Sequence, residues 1–535
     1  MSAATDRVTR DQTAPGDERG ARAPWSGTPL TRRDVAVAAV IAAVVVVVAI
    51  VWRSPIVPTD PWHYVRSALE FPSANWVPLG FTRYGIILAT IPPAFVFKNA
   101  EASYYFWPLV SAAMLSASLY LVGRRLWSPV AGLVAVVVLF TNTIVFFNLS
   151  RGYPDIMSMA LVMTALLTAL LARDRGFTGK SAIAWLLVTG FLLGWSFEVR
   201  ETGMLAWPIV LAVLWQRGRV LRNLAIVAAP VLAWAALDVG ISGLVYGDPL
   251  LKLHTLTGTN PTGVGNAPPP PPTRIDDADR TRWGYFLSIP KAALERGDGV
   301  WLVVSGIVAA LAIVARNRGL RLAAFGFISV YGVNLLLGGV LFPKRPFGTL
   351  IVPRYWIQYF PFIALVIGGL VAVAAAWLMR RSSLSGKGAG ALVTAGVAIV
   401  GLAWPVYHAV TYVPTVQAFA INGGDGLQQL RAHLAAEKFE TTEVWTDWET
   451  KRMLPAYQRP IWGGEKVWKG TPKSLTGAGV PEAGDAVLIF SADDAVCDHC
   501  RRALEPWAAK NPTIPPTWDL TWEDAAHTVQ FYVVR

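Results

Sequence analysis

Charged residues and cysteines are both scarce in this chain. Asp, Glu, Lys and Arg make up only 15% of its 535 residues, and it has two cysteines. It also lacks a Gly-rich phosphate loop, so we expect no cytosolic nucleotide site. Apolar residues, in contrast, account for 54% of the chain. This balance raises the question of whether they form blocks long enough to span a membrane.

The apolar residues do occur in long blocks. A bilayer core about 30 Å thick needs about 20 apolar residues in a helix, because only a helix satisfies its own backbone in lipid. We therefore predict an all-α polytopic membrane bundle of about eleven transmembrane helices. The predicted spans are 35–52, 103–122, 129–147, 155–172, 181–197, 202–216, 223–245, 299–315, 322–342, 354–379 and 389–410. The first is too long and too deep in the chain for a cleavable signal peptide, which indicates a retained helix.

The placement of the basic residues argues against a nucleic-acid partner, although the net charge is +12. Most of them flank the predicted spans and fall in alternate connections, which the positive-inside rule assigns to the cytoplasm. They are Arg32/Arg33, Arg124/Arg125, Arg173/Arg175/Lys180, Arg217/Arg219/Arg222, Arg316/Arg318/Arg321 and Arg380/Arg381/Lys387. This predicts that the N-terminus lies on the cytoplasmic side of the cell membrane and the C-terminus on the outer side.

Residues 80–98, GFTRYGIILATIPPAFVFK, do not fit this simple count. The segment is apolar but contains Pro92 and Pro93 and carries Arg83. If it crossed the membrane, every later basic connection would move to the outer side. We therefore expect it to lie along the outer interface as an amphipathic or re-entrant segment. An ordinary kinked span is the alternative.

The chain divides into three parts. Residues 1–34 are polar and predict a disordered cytoplasmic tail, and residues 35–411 form the membrane domain, with outer loops 53–102 and 246–298. The second loop contains APPPPPPT, which favours an extended spacer or, alternatively, a lid over an outer cavity. Residues 412–535 indicate a small extracytoplasmic α/β or α+β domain. Its helices are expected at GLQQLRAHLAAEK and CDHCRRALEPWAAK, and its strands at TEVWTD, DAVLIFSA and TVQFYVVR.

Both cysteines, Cys497 and Cys500, lie in this C-terminal part, in the motif CDHC. In a cytosolic protein this spacing would indicate a redox or metal site. The predicted topology places the motif outside, where thiols tend to oxidise, so we favour a local disulfide. Half of a zinc site that includes His499 is the alternative.

Ionisable residues gather at the outer ends of the predicted spans. Charge near lipid is costly, so such residues usually pair with one another or face a water-filled cavity. The group comprises Asp60, His63, Arg66, Glu70, Arg151, Asp155, Glu198, Arg200, Glu201 and Arg354. Arg66 and Glu70 could simply pair along one helix. Arg200 could merely compensate Glu198 or Glu201.

Two aspartates in this group stand beside prolines at the ends of spans. Asp60 lies in TDPW and Asp155 in YPDI, where a carboxylate can also cap a helix N-terminus. Their combination with several arginines suits an anionic ligand approached by a nucleophile that needs a base. His63 is either a further base or an ordinary polar residue of the interface.

Four stretches together resemble the GT-C glycosyltransferases, especially the branch of protein O-mannosyltransferases and bacterial aminoarabinose transferases. DPWHYVRSALEF, with Asp60 and Tyr64, resembles the acidic start of the family's first outer loop. NLSRGYPDIMSMALVM is similar to its second-loop pattern, an Arg followed by an Asp that opens the next helix. TGFLLGWSFEVRETGMLAWPIVL and VPRYWIQYFPFIALVIGGL are similar to its glycine-rich helix with a basic end and to its later Arg-Tyr and Pro pattern. The chain departs from the family in having Arg200 where Lys is commoner, and in lacking DPP- and WWDYG-type signatures.

The resemblance implies a hexosyl or pentosyl transferase that moves a sugar from a polyprenyl monophosphate carrier to an acceptor hydroxyl outside the membrane. The candidate residues are Asp60 and Asp155 for catalysis, Arg354, Arg200, Arg151 and Tyr355 for the donor phosphate, and His63, Glu201 and Tyr64 in support. No cofactor is required, and a divalent cation is optional. The acceptor would be a glycolipid, a polysaccharide or a protein.

The implied reaction is a single displacement with inversion. Phosphate is already a good leaving group, so one carboxylate base suffices, unlike the two-carboxylate scheme of glycosidases. A flippase for lipid-linked sugars is the main alternative, but it predicts charges through the membrane midplane and two related halves. A non-catalytic assembly protein is the other alternative, and it leaves the outer charges unexplained.

Overall fold

Helices dominate the computed structural model of this chain. It describes residues 28–56, 60–72, 83–257, 300–315, 317–336, 353–381, 387–418, 424–490 and 498–535. The first helices are α1 Arg32–Val51, α2 Asp60–Glu70, α3 Tyr84–Val96, α4 Glu101–Leu126, α5 Pro129–Phe140, α6 Thr143–Asn148, α7 Pro154–Asp174, α8 Gly179–Val199, α9 Trp207–Leu214, α10 Val220–Tyr246 and α11 Leu251–Thr257. The next are α12 Val300–Val314, α13 Arg318–Leu335, α14 Phe360–Arg381 and α15 Lys387–Ala418. Two 3-10 helices, Glu201–Ala206 and Pro353–Gln358, precede α9 and α14.

Seven of the described helices are long and apolar enough to cross a membrane: α1, α4, α7, α8, α10, α14 and α15. Four shorter apolar helices accompany them. The chain is therefore a multi-pass membrane protein. Each predicted span falls on one or two of the helices, whereas the count of about eleven and the orientation stay predictions.

The predicted span 129–147 is divided into α5 and α6. The side chain of Asn142 accepts hydrogen bonds from the backbone N–H groups of Ile144 (3.0 Å) and Val145 (3.2 Å). An asparagine with these contacts caps the N-terminus of a new helix. The chain therefore bends before α6, and Arg151 follows this short helix at the start of the candidate site.

The described bundle has two chemically different ends. At one end, which we call the basic end, Arg124 pairs with Asp34 (Nε–Oδ1 2.8 Å), and Trp127 Nε1 donates to Asn317 Oδ1 at 3.3 Å. These contacts join the end of α4 to the starts of α1 and α13. The basic segments at these three helix ends, which the sequence predicts on the same side of the membrane, therefore lie together. At the opposite end, which we call the site end, lie α2, the starts of α4 and α7, and the end of α8.

Helix α3 does not run from one end of the bundle to the other. Arg83, at its start, donates to Tyr64 Oη on α2, and the carbonyl of Phe97, just after its end, lies against Gly463 of the C-terminal domain. Both ends of α3 are therefore at the site end, as expected for an interfacial or re-entrant segment. Gly85 allows the close approach of α3 to α8, because a Cβ there would lie 2.7 Å from backbone atoms at the end of α8.

The C-terminal part forms the predicted small α/β domain. Its elements are α16 Gly424–Ala436, β1 Glu440–Thr446, α17 Trp448–Tyr457, β2 Lys469–Ser474, β3 Ala486–Phe490, α18 Asp498–Ala508, β4 Trp518–Glu523 and β5 Val529–Val534. The strand order is β2-β1-β3-β5-β4, with β1 parallel to both neighbours and β5 antiparallel to both. The three central strands coincide with the predicted ones. The edge strands β2 and β4 are more polar and give no such sequence pattern.

This domain packs on the site end of the bundle. Trp62 on α2 is buried, and its Nε1 donates to the Arg452 carbonyl at 2.6 Å. Glu101, fully buried at the start of α4, pairs with Arg431 of α16. Helix α2 is therefore held between the bundle and the C-terminal domain, and Asp60 is its first residue. The helix α15 runs through the domain boundary predicted at 411–412.

Candidate active site

The first candidate, Asp60, meets Arg354 at the site end. Asp60 begins α2, and Arg354 belongs to the 3-10 helix before α14. Nη2 of Arg354 lies 3.7 Å from Oδ2 of Asp60, whose side chain is 32% exposed. This is the distance of an ion pair and is too long for a hydrogen bond. The contact therefore leaves the carboxylate oxygens able to accept hydrogen bonds from another group.

Aromatic rings hold Arg354 in place. Its guanidinium carbon lies 4.2 Å from the centre of the Tyr153 ring and 5.1 Å from that of Tyr355. Nη2 of Arg354 also donates to Tyr355 Oη at 3.3 Å. Cation–π contacts fix a guanidinium without neutralising its charge. Arg354 therefore keeps its positive charge available beside Asp60.

Asp155 and Arg200 form a buried ion pair next to Tyr355. Asp155 lies in the first turn of α7, and Arg200 follows the last residue of α8. Nε of Arg200 is 2.9 Å from Oδ1 of Asp155, with 5% and 0% of the two side chains exposed. Nε also donates to Thr202 Oγ1 at 3.1 Å, and the guanidinium lies 4.5 Å from the centre of the Tyr355 ring. Tyr355 is thus flanked by Arg200 and Arg354 and joins the two ion pairs into one cluster.

The partners of two nearby glutamates settle what Arg200 compensates. Glu201 Oε2 lies 3.6 Å from Arg83 Nη2, and Glu198 pairs with Lys252 of α11. The alternative in which Arg200 neutralises either glutamate therefore does not hold in this structure. The acidic partner of Arg200 is Asp155 of α7. Asp155 does not cap α7 either, because neither of its oxygens accepts a hydrogen bond from a backbone N–H of the described residues.

Tyr64 and Arg83 extend the cluster along α2. Tyr64 lies one turn after Asp60 and accepts a hydrogen bond from Arg83, so Tyr64 and Glu201, both predicted in support, share one arginine. Sequence reasoning treats Arg83 only as an obstacle to a membrane span. Its signal as a site residue is a charge in an otherwise apolar segment, which usually marks a functional contact.

Arg151 is partly buried and forms no ion pair with a carboxylate among the described residues. Its guanidinium carbon lies 3.4 Å from the centre of the Phe147 ring, and its Nε has no hydrogen-bond partner in the described part of the chain. Burial lowers the pKa of Arg151 to about 10, and the positive charge of Arg354 acts in the same direction. A guanidinium of this kind is suited to an anionic ligand.

His63 contacts the C-terminal domain rather than Arg354. It is 8% exposed, and its Nε2 accepts a hydrogen bond from Arg452 Nη1 at 2.9 Å. Burial lowers the pKa of His63 to about 4, and the charge of Arg452 acts in the same direction. His63 is therefore a neutral acceptor near pH 7, which favours the interfacial interpretation of this residue over that of a base.

Other candidates lie apart from this cluster. No group of three or more His, Cys, Asp or Glu side chains among the described residues is placed to hold a metal ion. Cys500 is buried and disulfide-bonded, and Cys497 lies outside the described residues. Most of the predicted N-terminal tail and the run APPPPPPT also lie outside them.

Known proteins share the architecture of this chain. A family model described as dolichyl-phosphate-mannose-protein mannosyltransferase matches residues 93–238. The crystal structure of ArnT from Cupriavidus metallidurans in the apo state is similar, with a TM-score of 0.52 and 13% identity over 93% of this chain and 97% of that chain. The chain therefore shares the fold of ArnT over nearly its whole length, and residues 93–238 match the mannosyltransferase family model.

Further matches have equally low identity. ArnT from the same organism bound to undecaprenyl phosphate has a TM-score of 0.51 and 12% identity over 94% of this chain and 97% of that chain. The apo oligosaccharyltransferase of Archaeoglobus fulgidus has a TM-score of 0.44 and 14% identity over 81% of this chain and 64% of that chain. No curated protein sequence matches at a significant level. The likeness to ArnT shows the fold, so residue roles in this chain rest on its own geometry.

The contact between α2 and the C-terminal domain is expected to depend on pH. Burial raises the pKa of Glu449, next to Arg452, from 4.5 to about 7, and burial raises that of Asp447 to about 6. A carboxyl with a raised pKa stabilises the folded state below its ordinary pKa, and this contribution is lost as the pH rises through the raised value. We therefore expect the melting temperature of the purified protein to fall as the pH rises from about 4.5 to about 7.

Glu449→Gln removes one of these titrations, so its melting temperature should fall less over the same interval. Glu440→Gln is the matched control, because Glu440 lies in an exposed pair with Lys469 (Oε1–Nζ 2.7 Å) and should leave the wild-type fall unchanged. An equal fall in Glu449→Gln and in the wild type would show that Glu449 does not titrate in this range.

Proposed function

We propose that this protein is a GT-C glycosyltransferase, which transfers a sugar from a polyprenyl-phosphate-linked donor to an acceptor hydroxyl by single displacement with inversion. The observation that carries the proposal is the placement of Asp60 3.7 Å from Arg354. The same cluster contains Arg151, which forms no ion pair with a described carboxylate. A base beside guanidinium groups suits attack on a sugar phosphate, because the base takes a proton and the guanidinium groups receive the charge of the leaving phosphate.

Asp60 is the proposed base. It takes the proton of the acceptor hydroxyl as that oxygen attacks the anomeric carbon of the donor sugar. The bond from this carbon to the phosphate oxygen breaks, and its electron pair stays on the phosphate. The products are a glycoside of inverted configuration and polyprenyl phosphate, so no second carboxylate is needed.

Arg354 and Arg151 are the proposed ligands of the phosphate, with Tyr355 orienting Arg354. As the bond breaks, the phosphate goes from one negative charge towards two, so arginine contacts strengthen in the transition state. A pair of unit charges at 4 Å is worth about 4 kcal/mol at an effective dielectric constant near 20. If about half of this arises only on bond breaking, one arginine contributes roughly 30-fold in rate.

Asp155 is proposed to position Arg200 rather than to act as a second base. Its carboxylate is fully buried and 2.9 Å from the guanidinium that lies on Tyr355. It therefore keeps a third positive charge at the phosphate site. Tyr64 and Glu201 are proposed to hold Arg83 in the same way, and a divalent cation at the carboxylates remains optional.

Two comparisons support a lipid-linked donor. The ArnT relative, whose fold this chain shares, was crystallised with undecaprenyl phosphate, and the matching family model is described by dolichyl-phosphate mannose. The proposed donor of this chain is a polyprenyl monophosphate that carries a hexose or a pentose. The proposed acceptor is a glycolipid, a polysaccharide or a protein. By the positive-inside rule the basic end faces the cytoplasm, so the site opens on the extracytoplasmic side of the cell membrane.

A panel of donors tests this proposal. Purified protein in liposomes receives polyprenyl phosphates carrying different radiolabelled sugars, together with cell-envelope fractions as acceptors. We expect release of polyprenyl phosphate and an inverted glycoside with one class of sugar. A flippase would move the donor between leaflets without consuming it, and an assembly protein would do neither. Either of these results would contradict the proposal.

A further inference from the structure

A groove of about 620 Å³ opens at the basic end of the bundle, away from the candidate active site. Three arginines line it: Arg173 near the end of α7, and Arg318 and Arg321 in the first turn of α13. The other lining residues are Pro208, Leu211, Ala212, Trp215 and Phe325. None of these described residues is acidic, so the groove combines positive charge with an apolar wall.

The three arginines of this groove differ in their contacts within the chain. Arg173 Nη1 donates to the Val213 carbonyl at 2.8 Å, which fixes the side chain against the end of α9. Asp174, the next residue, pairs with Arg125 (Oδ2–Nε 2.8 Å). The two arginines of α13 are exposed and pair with no carboxylate in the described part of the chain. The groove therefore has the charge of an anion site.

The apolar wall of the groove is exposed. Trp215 is 66% exposed, Phe325 43% and Leu211 39%. These residues belong to predicted membrane spans or adjoin their ends, so lipid rather than water is the medium that such side chains contact. Tryptophan is enriched at the level of lipid headgroups, and Trp215 directly follows α9 at the basic end.

We propose that this groove binds an anionic phospholipid from the leaflet at the basic end. The phosphate would accept charge-assisted hydrogen bonds from Arg318, Arg321 and Arg173, with the acyl chains along Leu211 and Phe325. Basic pockets between transmembrane helices select anionic headgroups in this manner. Free phosphate would use only the arginines, whereas a lipid uses both halves of the groove. The proposal does not depend on the reaction at the site end.

Spin-labelled lipids test this site. In liposomes of phosphatidylcholine, electron paramagnetic resonance measures how much labelled phosphatidylglycerol the protein immobilises in excess of labelled phosphatidylcholine. Arg318→Ala/Arg321→Ala should weaken this preference by roughly fivefold for each arginine, on the order of 25-fold in all. Arg318→Lys/Arg321→Lys should keep most of it, and sugar transfer should not change. Phe325→Glu, which puts an acid in the groove and keeps every arginine, should abolish the preference.

The matched control is Arg32→Ala/Arg33→Ala. This variant also removes two positive charges at the basic end, from exposed residues of α1 that lie outside the groove. It should keep the preference for phosphatidylglycerol. An equal loss in both double variants would mean general attraction to the basic end and would overturn the proposal. Abolition of the preference by millimolar inorganic phosphate would identify a free-phosphate site and would overturn the lipid as occupant.

Discussion

Replacing Asp60 with asparagine is expected to lower the rate of sugar transfer by about 10²–10⁴-fold, the range that a general base contributes. Asparagine has nearly the same shape but cannot take the acceptor proton. The Asp60 side chain is 32% exposed and its contact with Arg354 is a 3.7 Å ion pair, so the fold should tolerate the change. Release of polyprenyl phosphate from the donor that the wild type uses is the measurement, and an unchanged melting temperature shows that the fold is intact.

Glu70→Gln is the matched control on the same helix. Glu70 pairs with Arg66 (Oε1–Nε 2.8 Å), and 39% and 40% of these side chains are exposed. An exposed pair contributes little, so this variant should keep its rate within about twofold. Asp60→Glu, which keeps a carboxylate on a longer chain, should retain more activity than Asp60→Asn. If Asp60→Asn and Glu70→Gln had equal rates, Asp60 would not be the base.

The membrane helices could be predicted from the sequence because lipid leaves few alternatives. A long apolar segment in a bilayer must satisfy its own backbone, so composition alone predicts helices such as α4 and α8. The prediction was less accurate where a single polar side chain redirects the backbone, as at Asn142, which starts α6. The edge strands of the C-terminal domain were missed for a related reason, because a strand with one free edge needs no buried apolar run.

The members of the candidate site could be predicted, but their pairing could not. Charges at the ends of spans must converge to avoid lipid, so Asp60, Asp155, Arg200 and Arg354 were expected to meet, and the structure brings them together. Which charge meets which depends on contacts between residues far apart in the sequence. Glu198 is an example, because its partner lies in α11, beyond the whole of α10.

The position of α2 could not be predicted either, although Asp60 depends on it. The helix carries Asp60 at its start and is clamped by the C-terminal domain through Trp62 and His63, both in contact with Arg452. A soluble domain thereby fixes a residue of the membrane site. The position of α2, and with it that of Asp60, should therefore depend on the C-terminal domain.

Removing the carboxylate of Asp155 is expected to have the second large effect. The Asp155 side chain is fully buried, and that of Arg200 is 5% exposed. Breaking a buried ion pair leaves one charge uncompensated, which costs about 3–5 kcal/mol of folding free energy. Asp155→Asn should therefore lower both the melting temperature and the rate of sugar transfer, because Arg200 is no longer held on Tyr355. Thermal unfolding and donor turnover of the purified variant measure the two effects.

The double variant Asp155→Asn/Arg200→Gln separates these effects. It removes both charges of this pair, so part of the melting temperature should return, whereas the rate should stay low because the guanidinium near the phosphate is gone. Asp174→Asn is the control, since it breaks a similarly buried pair with Arg125 at the basic end, with 15% and 3% of the side chains exposed. It should lower the melting temperature and leave the turnover of the folded protein unchanged. Full turnover in the double variant would instead mean that Asp155 and Arg200 serve only the fold.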